Sequence, residues 1–337
     1  MNQGTKIDTI ERLGIVWRRI LKTQNIGIDD NFFELGGGPQ HAVQLFREIE
    51  DFCPRVLPAL LICQAPTIRS LAAILEAHDV PRLSPVIKLK DGTKEPPVFL
   101  LHGLGGNVFE FFEFARHVQT CRSVSGMQAR GTDGLDEPCK TVDEMARFSL
   151  SEIRKLQPHG PYFLIGYSLG GLVALEMARY LTASGESIAL LVMIDSYPVL
   201  RYVPLAQLFG VYARKIRRRL GSLRRQSSNA NRVDQASDKL DLTPATRLVR
   251  DCAARALRDY VPRYYAGTVK FVRAQVSLHF PANATAVWSK LVDRFEVETV
   301  SGDHQEILTK YSDQLATILS RYLREADERA STKGARR

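Results

Sequence analysis

The sequence lacks any long run of apolar residues. The longest, residues 188–194, is far shorter than the roughly 20 residues that a helix needs to span a bilayer. The first residues, MNQGTKIDTIERLG, contain no apolar segment of the kind found in secretory signals. We therefore expect a soluble, cytoplasmic protein that does not contact a membrane. Its 337 residues, 45% apolar and 25% charged, suit a small and a larger globular domain.

Cysteine is scarce and scattered. The chain has five cysteines, at positions 53, 63, 121, 139 and 252. An odd number without clustering fits a reducing cytosol, and no pair has the spacing of a metal site. We therefore predict no metal centre and give the cysteines no chemical role.

Acidic residues are absent between Asp195 and Asp234, within a chain whose net charge is +9. The same stretch contains many basic residues, namely Arg201, Arg214, Lys215, Arg217, Arg218, Arg219, Arg224, Arg225 and Arg232. Such a run is typical of a solvated helix face, and the alternative is a docking surface for an acidic partner. No nucleic-acid module accompanies the charge, so we do not expect nucleic-acid binding.

The apolar pattern divides the chain into a helical front part and an alternating main part. Residues 1–78 have helical spacing, and residues 79–83 form a short linker. From residue 84 to about 325, strands and helices alternate, which predicts a mainly parallel sheet covered by helices on both faces. Strands at 85–89 and 98–101 are expected to form a hairpin through Asp91-Gly92. A helical insertion covers about 200–262, and residues 326–337 are expected to be disordered.

A GYSLG motif at residues 166–170 stands between an apolar strand and a helix. The turn must be so sharp that the serine is strained and its hydroxyl exposed, and glycine two residues to either side avoids a collision. The alternative is an ordinary glycine-rich turn. The position between strand and helix favours Ser168 as a nucleophile.

A serine hydroxyl needs a base to accept its proton, and the base needs a partner that fixes its tautomer. Only His279 and His304 follow the motif, and only His304 comes directly after a predicted strand, at 295–300. Asp195 ends the strand that follows the motif's helix, which brings it to the sheet edge beside Ser168. It could instead cap the next segment.

Other acids are poorer candidates for the third member. Asp241, Asp251 and Asp259 lie in polar helical stretches, and Asp303 is adjacent to His304 and is expected to point elsewhere. We therefore predict a Ser168, Asp195 and His304 triad.

The tetrahedral intermediate of acyl transfer needs backbone N–H donors for its oxyanion. One is expected from Leu169, the residue after the nucleophile. The other is expected from the glycine-rich loop at residues 102–106, at Leu104, although an ordinary tight turn is also open for that residue.

Several segments resemble, in order, the thioesterase domains that end nonribosomal peptide and polyketide synthetases. They are VFLLHGLGG, MQARGTDG, GPYFLIGYSLGG, LLVMIDSYP and VSGDH, and the resemblance covers roughly residues 84–325. It implies an α/β-hydrolase fold with a helical lid at about 200–262. It also implies that an acyl or peptidyl chain moves from a carrier-bound thioester to the serine and leaves by hydrolysis or cyclisation.

Residues 5–78 resemble a peptidyl or acyl carrier domain, a small all-helical bundle. The segment DDNFFELGG at residues 29–37 resembles the approach to the phosphopantetheine serine of that family. Where that serine belongs, this chain has Pro39, and no serine precedes Ser70. We therefore expect no covalently bound cofactor, and phosphopantetheine only on a partner carrier that delivers the acyl group in trans.

The sequence thus predicts a thioesterase of nonribosomal peptide or polyketide biosynthesis, whose partners are carrier proteins or synthetase modules. One alternative is an esterase or lipase with the same triad, because thioesters and oxygen esters require similar chemistry. The other is a scaffold without catalysis that docks synthetase partners, which the degenerate carrier segment suggests.

Overall fold

A computed structural model of the chain describes residues 3–53, 55, 57–77, 82–198, 243–277, 280–281 and 283–334. Of the predicted lid at 200–262, residues 200–242 lie outside this range, as do the basic residues between Arg201 and Arg232. No helix among the described residues is long and apolar enough to cross a bilayer.

The described residues of 3–77, here called the front unit, form a helical bundle. It consists of α1 (Gln3–Leu21), α2 (Pro39–Glu50), a 3-10 helix (Ala59–Cys63) and α3 (Ile68–Glu76). Buried residues of α1 recur every three or four positions, at Leu13, Val16, Trp17 and Ile20, so one face of the helix meets the core. The ring of Trp17 meets the edge of Phe32 with 5.2 Å between centroids.

The main part is built on a seven-stranded sheet within the described residues, in the order β1-β3-β2-β4-β5-β6-β7. The strands are β1 (Val86–Lys90), β2 (Lys94–Leu101), β3 (Arg122–Met127), β4 (Tyr162–Tyr167), β5 (Ile188–Ile194), β6 (Tyr265–Ala274) and β7 (Val292–Val300). β1 is antiparallel to β3, and all other neighbours are parallel. The predicted parallel sheet is therefore present.

The predicted hairpin between the first two strands is wrong. β3 lies between β1 and β2 and pairs with both. A side chain at Gly92 would come within 2.1 Å of the backbone of Arg122 and Ser123. Gly92 is thus needed because β3 passes close by, rather than for a two-strand turn.

Helices cover both faces of the sheet. They are α4 (Phe109–His117), α5 (Val142–Leu156), α6 (Leu169–Ala183), α7 (Pro244–Asp259), α8 (Ala284–Trp288) and α9 (Ser312–Gly334). α4, α9 and the front unit share one apolar core, whereas α5, α6, α7 and α8 share the other. Alternate residues of β2 enter the two cores, Val98 and Leu100 the first and Phe99 and Leu101 the second, as the period of a strand requires.

The expectation of a disordered tail from Ala326 is wrong for residues 326–334, which continue α9. Ala326 is buried, and Asp327 forms ion pairs with Arg122 at 2.6 Å and Lys94 at 2.9 Å. These contacts hold a stretch whose composition alone predicts disorder.

The front unit packs directly on the main part. The ring of Phe33 stacks on that of Phe112 in α4, with 3.6 Å between centroids and 7° between planes. The side-chain carbonyl of Gln64 accepts a hydrogen bond of 2.9 Å from the backbone N–H of Ser84. Both aromatic rings are buried, so the contact excludes water.

Candidate active site

Ser168 lies at a strained turn between β4 and α6. Its φ of +54° and ψ of −120° are unfavourable for a residue with a side chain. A Cβ at Gly166 would lie 2.1 Å from the carbonyl oxygen of Gly170, and one at Gly170 would lie 2.3 Å from that of Leu101. The two glycines therefore permit the sharp turn, as the motif predicts.

The structure brings Ser168, His304 and Asp195 together. Nε2 of His304 lies 3.1 Å from Oγ of Ser168, and Nδ1 lies 2.7 Å from Oδ2 of Asp195. Because the carboxylate can only accept, Nδ1 carries the proton of that bond and Nε2 is free to accept from the serine. The arrangement can therefore remove a proton from Ser168.

Asp195 follows β5 and is 2% exposed. Its other oxygen, Oδ1, accepts a 3.1 Å hydrogen bond from the backbone N–H of Ala274 at the end of β6. Each carboxylate oxygen thus has a donor, which offsets the cost of burying a charged group.

His304 lies in the loop after β7. Gly302 turns the chain there with a φ of +85°, and a side chain at that position would meet the ring of Tyr311 at 2.4 Å. The carboxylate of Asp303 accepts from the backbone N–H groups of Gln305 and Glu306, each at 3.0 Å. Asp303 therefore binds backbone donors of its own loop, whereas Asp195 is the carboxylate that binds His304.

Two of the other candidate acids do not lie at this site. Asp251 and Asp259 lie exposed on α7. His279 and Asp241 lie outside the described residues.

Two aromatic residues that the sequence analysis missed enclose the imidazole of His304. The ring of Tyr167 stacks on the imidazole with 4.8 Å between ring centroids. The ring of Phe280 lies tilted against it with 5.0 Å between centroids. The Tyr167 hydroxyl donates a 2.7 Å hydrogen bond to the backbone carbonyl of His304. Burial raises the pKa of this hydroxyl well above its usual range, so it stays a donor. The sequence signal for the Tyr167 contact was the position of this aromatic residue directly before Ser168 in the motif.

Glu110, in the first turn of α4, is a third residue that the sequence analysis missed. Burial raises the pKa of its carboxyl to about 7, and the nearby charge of His304 opposes this rise. No feature of the sequence around Glu110 separates it from an ordinary charged residue at a helix start.

The loop at residues 102–106 runs beside the serine. A Cβ at Gly103 would lie 3.1 Å from the ring of Tyr167 and 3.6 Å from Cβ of Ser168. Burial lowers the pKa of His102, whose Nδ1 lies 2.6 Å from the carbonyl oxygen of Gly103. Leu169 is the first residue of α6, where backbone N–H groups have no partner within the helix. Of the predicted oxyanion donors, Leu169 directly follows Ser168 and Leu104 directly follows Gly103, and the role of both stays a prediction.

The start of α2 does not fit covalent attachment of phosphopantetheine. Pro39 is the first residue of this helix and has no hydroxyl. The side-chain hydroxyls of Thr67 and Ser70 lie 2.8 Å apart and cap the start of α3. Both hydroxyls thus have hydrogen-bond partners at the start of α3.

Comparison with known proteins identifies the family. A family model described as "Thioesterase domain" matches residues 96–323. The chain belongs to this family. A model described as "Phosphopantetheine attachment site" matches residues 11–75, which lie within the front unit. The predicted combination of a thioesterase domain and a preceding carrier-like domain is therefore confirmed.

Synthetases are among the relatives of this thioesterase-family chain. It is 36% identical over 197 residues to a dimodular nonribosomal peptide synthase of Bacillus subtilis (strain 168), which covers 58% of this chain and 8% of that protein. It is 37% identical over 171 residues to indigoidine synthase of Dickeya dadantii (strain 3937), with coverage of 51% and 12%. The chain thus spans only a small part of these relatives.

Solved structures agree on the fold. A four-domain nonribosomal peptide synthetase in its holo form, bound to AMP and glycine, matches with a TM-score of 0.59 and 28% identity. The match covers 93% of this chain and 26% of that chain. The type II thioesterase BorB of the borrelidin cluster matches with a TM-score of 0.54 and 20% identity, covering 73% of this chain and 100% of that chain. The predicted α/β fold with a helical carrier-like front part is confirmed.

Proposed function

We propose that the protein is a serine thioesterase that releases an acyl or peptidyl chain in nonribosomal peptide or polyketide biosynthesis. The observation that carries this proposal is the hydrogen-bonded series from Ser168 to His304 to Asp195 in a chain of the thioesterase family.

The geometry supports catalysis through an acyl-enzyme. His304 takes the proton of Ser168 while Oγ attacks the thioester carbonyl. The backbone N–H groups of Leu169 and Leu104 stabilise the oxyanion. Asp195 holds the imidazole in the required tautomer. The C–S bond then breaks, and His304 gives its proton to the leaving thiol.

The second half of the reaction frees the chain from Ser168. His304 now takes a proton from water, or from a nucleophile within the acyl chain, as that group attacks the ester. Water gives hydrolysis, and an internal nucleophile gives cyclisation. The proton then returns to Ser168.

The acyl donor is a separate loaded carrier or a soluble thioester. Because Pro39 has no hydroxyl, the front unit does not carry phosphopantetheine, and the group belongs to a partner carrier protein or synthetase module. The acyl chain therefore arrives in trans. The basic stretch between Arg201 and Arg232 is a candidate surface for an acidic carrier, and added salt should then slow turnover of carrier-bound substrate.

The alternatives make different predictions. An esterase with the same triad would prefer an oxygen ester to the thioester with the same acyl group. A scaffold without catalysis would turn over neither.

The test is hydrolysis of acyl-N-acetylcysteamine thioesters and of their oxygen-ester analogues by the wild type and Ser168→Ala. We expect the wild type to prefer the thioester and Ser168→Ala to lose turnover by a factor of about 10³ or more. A preference for the oxygen ester would identify an esterase. Equal rates with and without Ser168 would overturn the proposed mechanism.

A further inference from the structure

A cavity of about 560 Å³ lies between the front unit and the main part, here called the inter-unit cavity. Its volume is within the range of small-molecule sites, about 300–1,000 Å³. The lining comes from the front unit, from the loop after β3 and from the start of α7: Leu57, Pro58, residues 131–138, Thr243, Pro244, Ala245 and Leu248. The carrier-like front unit therefore supplies one wall.

The wall is apolar where it is free to bind. Leu135 and Leu248 are 63% and 49% exposed, although both are large apolar side chains. Covering such side chains with an apolar ligand is favourable, and exposed apolar surface in a concave region marks binding sites.

The charged side chains of the wall have polar partners and also face water, with Asp136 39% and Glu137 81% exposed. Asp133 accepts a hydrogen bond of 3.1 Å from the backbone N–H of Leu135. Asp136 lies 3.4 Å from Arg82, and Glu137 lies 3.0 Å from Lys140.

The two threonines of the wall are engaged as well. The Thr132 hydroxyl donates to the carbonyl of Ala129, and that of Thr243 caps α7. The exposed carboxylates disfavour an anionic ligand, and the exposed side chains of Leu135 and Leu248 favour an apolar one.

The cavity begins one layer of residues away from the predicted oxyanion loop. A Cβ at Gly106 would meet Val249 at 2.6 Å and Thr132 at 3.8 Å. Thr132 lines the cavity, and Val249 is adjacent to Leu248, which also lines it. The backbone N–H of Ala129 donates a 2.8 Å hydrogen bond to the carbonyl of Gly106. One layer of residues, which includes the buried Val249, thus separates the predicted oxyanion loop from the cavity.

We propose that the inter-unit cavity binds the distal part of an apolar acyl chain, with the front unit as a wall of the substrate site. This inference rests on the proposed function and names its substrate class. It gives the front unit a role that does not need the missing serine, because Leu57 and Pro58 act through shape and apolar surface.

The test uses alkyl fluorophosphonates with an ethyl or a decyl chain, which form an O–P bond to a reactive serine and release fluoride. The rate constants for labelling Ser168 are measured in the full chain. We expect decyl to label the wild type at least tenfold faster than ethyl, because each buried methylene adds to binding.

Four variants test whether the preference for the decyl probe arises in the inter-unit cavity. Leu135→Asp and Leu248→Asp place a charge at exposed positions of the wall, and Leu57→Trp fills the cavity from the front unit. All three should lower the decyl to ethyl ratio at least fivefold and leave ethyl labelling unchanged. Leu156→Asp is the matched control, since Leu156 is 62% exposed at the end of α5 and does not line the cavity, and it should keep the wild-type ratio. The same ratio in all five proteins would overturn the cavity proposal.

The proposed function and the cavity fail in different ways. If neither probe labels Ser168, the serine mechanism is wrong, and the cavity is then tested by binding of a dansylated fatty acid. Fluorescence enhancement with the wild type and its loss in Leu135→Asp would support the apolar site. Equal enhancement in both, or none, would remove it.

A separate test distinguishes binding of the acyl chain in the cavity from binding of the donor's thiol arm. Thioesters with one acyl group are compared on N-acetylcysteamine and on pantetheine. If Leu57→Trp changes the preference between these thiols and leaves the acyl-length preference unchanged, the cavity holds the donor's arm and the acyl assignment is wrong.

Discussion

The environment of His304 is determined by single residues on three different strand ends. Asp195 follows β5, Tyr167 ends β4, and His304 itself follows β7. Because the carboxyl ends of parallel strands meet at one edge, residues far apart in sequence come within hydrogen-bond distance. Motif and residue order therefore predicted that Ser168, Asp195 and His304 lie together, whereas the stacking of Tyr167 on His304 is visible only in the structure.

Tyr167 is expected to be a positioning residue. Tyr167→Leu removes both the ring stack and the hydrogen bond to His304, so we expect kcat to fall about tenfold or more with little change in KM, from stacking and hydrogen-bond energies of about 1 kcal/mol each. Tyr167→Phe keeps the ring and should recover most of the loss. The downfield proton resonance of the His304–Asp195 hydrogen bond should weaken in Tyr167→Leu only. A kcat in Tyr167→Leu equal to that of the wild type would contradict this role.

Glu110 is expected to make stability depend on pH. Burial holds its pKa at about 7, above the usual value of 4.5, so the folded state favours the protonated carboxyl. Its contribution to stability is therefore complete below pH 4.5 and is lost as the pH rises through 7. Glu110→Gln, which keeps the neutral form, should raise Tm relative to the wild type by a few degrees at pH 8 and by less at pH 4.5. A Tm difference that is the same at both pH values would refute this account.

At the scale of elements, the period of apolar residues predicted which segments form helices and strands. Turn motifs did not predict which strands pair. The strands predicted before the GYSLG motif and before Asp195 are present as β4 and β5, and the strand predicted at 295–300 lies within β7. The Asp91-Gly92 signal failed because a turn dipeptide carries no information about which strand pairs next. The prediction of a disordered tail failed because the burial of Ala326 and the ion pairs of Asp327 arise only from tertiary contacts.

The last turns of α9 are expected to stabilise the fold through Asp327. Arg122 is almost fully buried, and its guanidinium also packs over the ring of Phe163 at 4.0 Å. Asp327→Ala leaves that charge without its carboxylate partner, so we expect a loss of about 3 kcal/mol in the free energy of unfolding. Urea denaturation measures it, with Glu137→Ala as the control because its pair with Lys140 is exposed. Equal losses in the two variants would show that the end of α9 contributes little.

At the scale of the molecule, the front unit and the main part share one apolar core around Phe33 and Phe112. The sequence predicted two units and a linker, but it gave no sign that they pack through an aromatic stack. Helical periodicity separates buried from exposed positions and does not say whether a half-buried ring faces its own bundle or a neighbour. The relation between the units therefore required the structure.

The prediction that the front unit carries no phosphopantetheine can be tested by restoring a serine hydroxyl at position 39. We expect a phosphopantetheinyl transferase with coenzyme A to leave the wild type unmodified, because Pro39 offers no nucleophile. Pro39→Ser should gain the mass of one phosphopantetheine if the rest of the site is intact. Modification of the wild type would show that another residue carries the group and that donation in trans is not required.

The central claim is that Ser168 carries the acyl chain during turnover. The most direct measurement is peptide mapping by mass spectrometry after mixing the protein with a butyryl thioester and quenching in acid within one turnover. We expect a butyryl adduct on the peptide that contains Ser168, and no adduct in Ser168→Ala. Turnover in the wild type with no adduct on that peptide, together with turnover in Ser168→Ala, would contradict it.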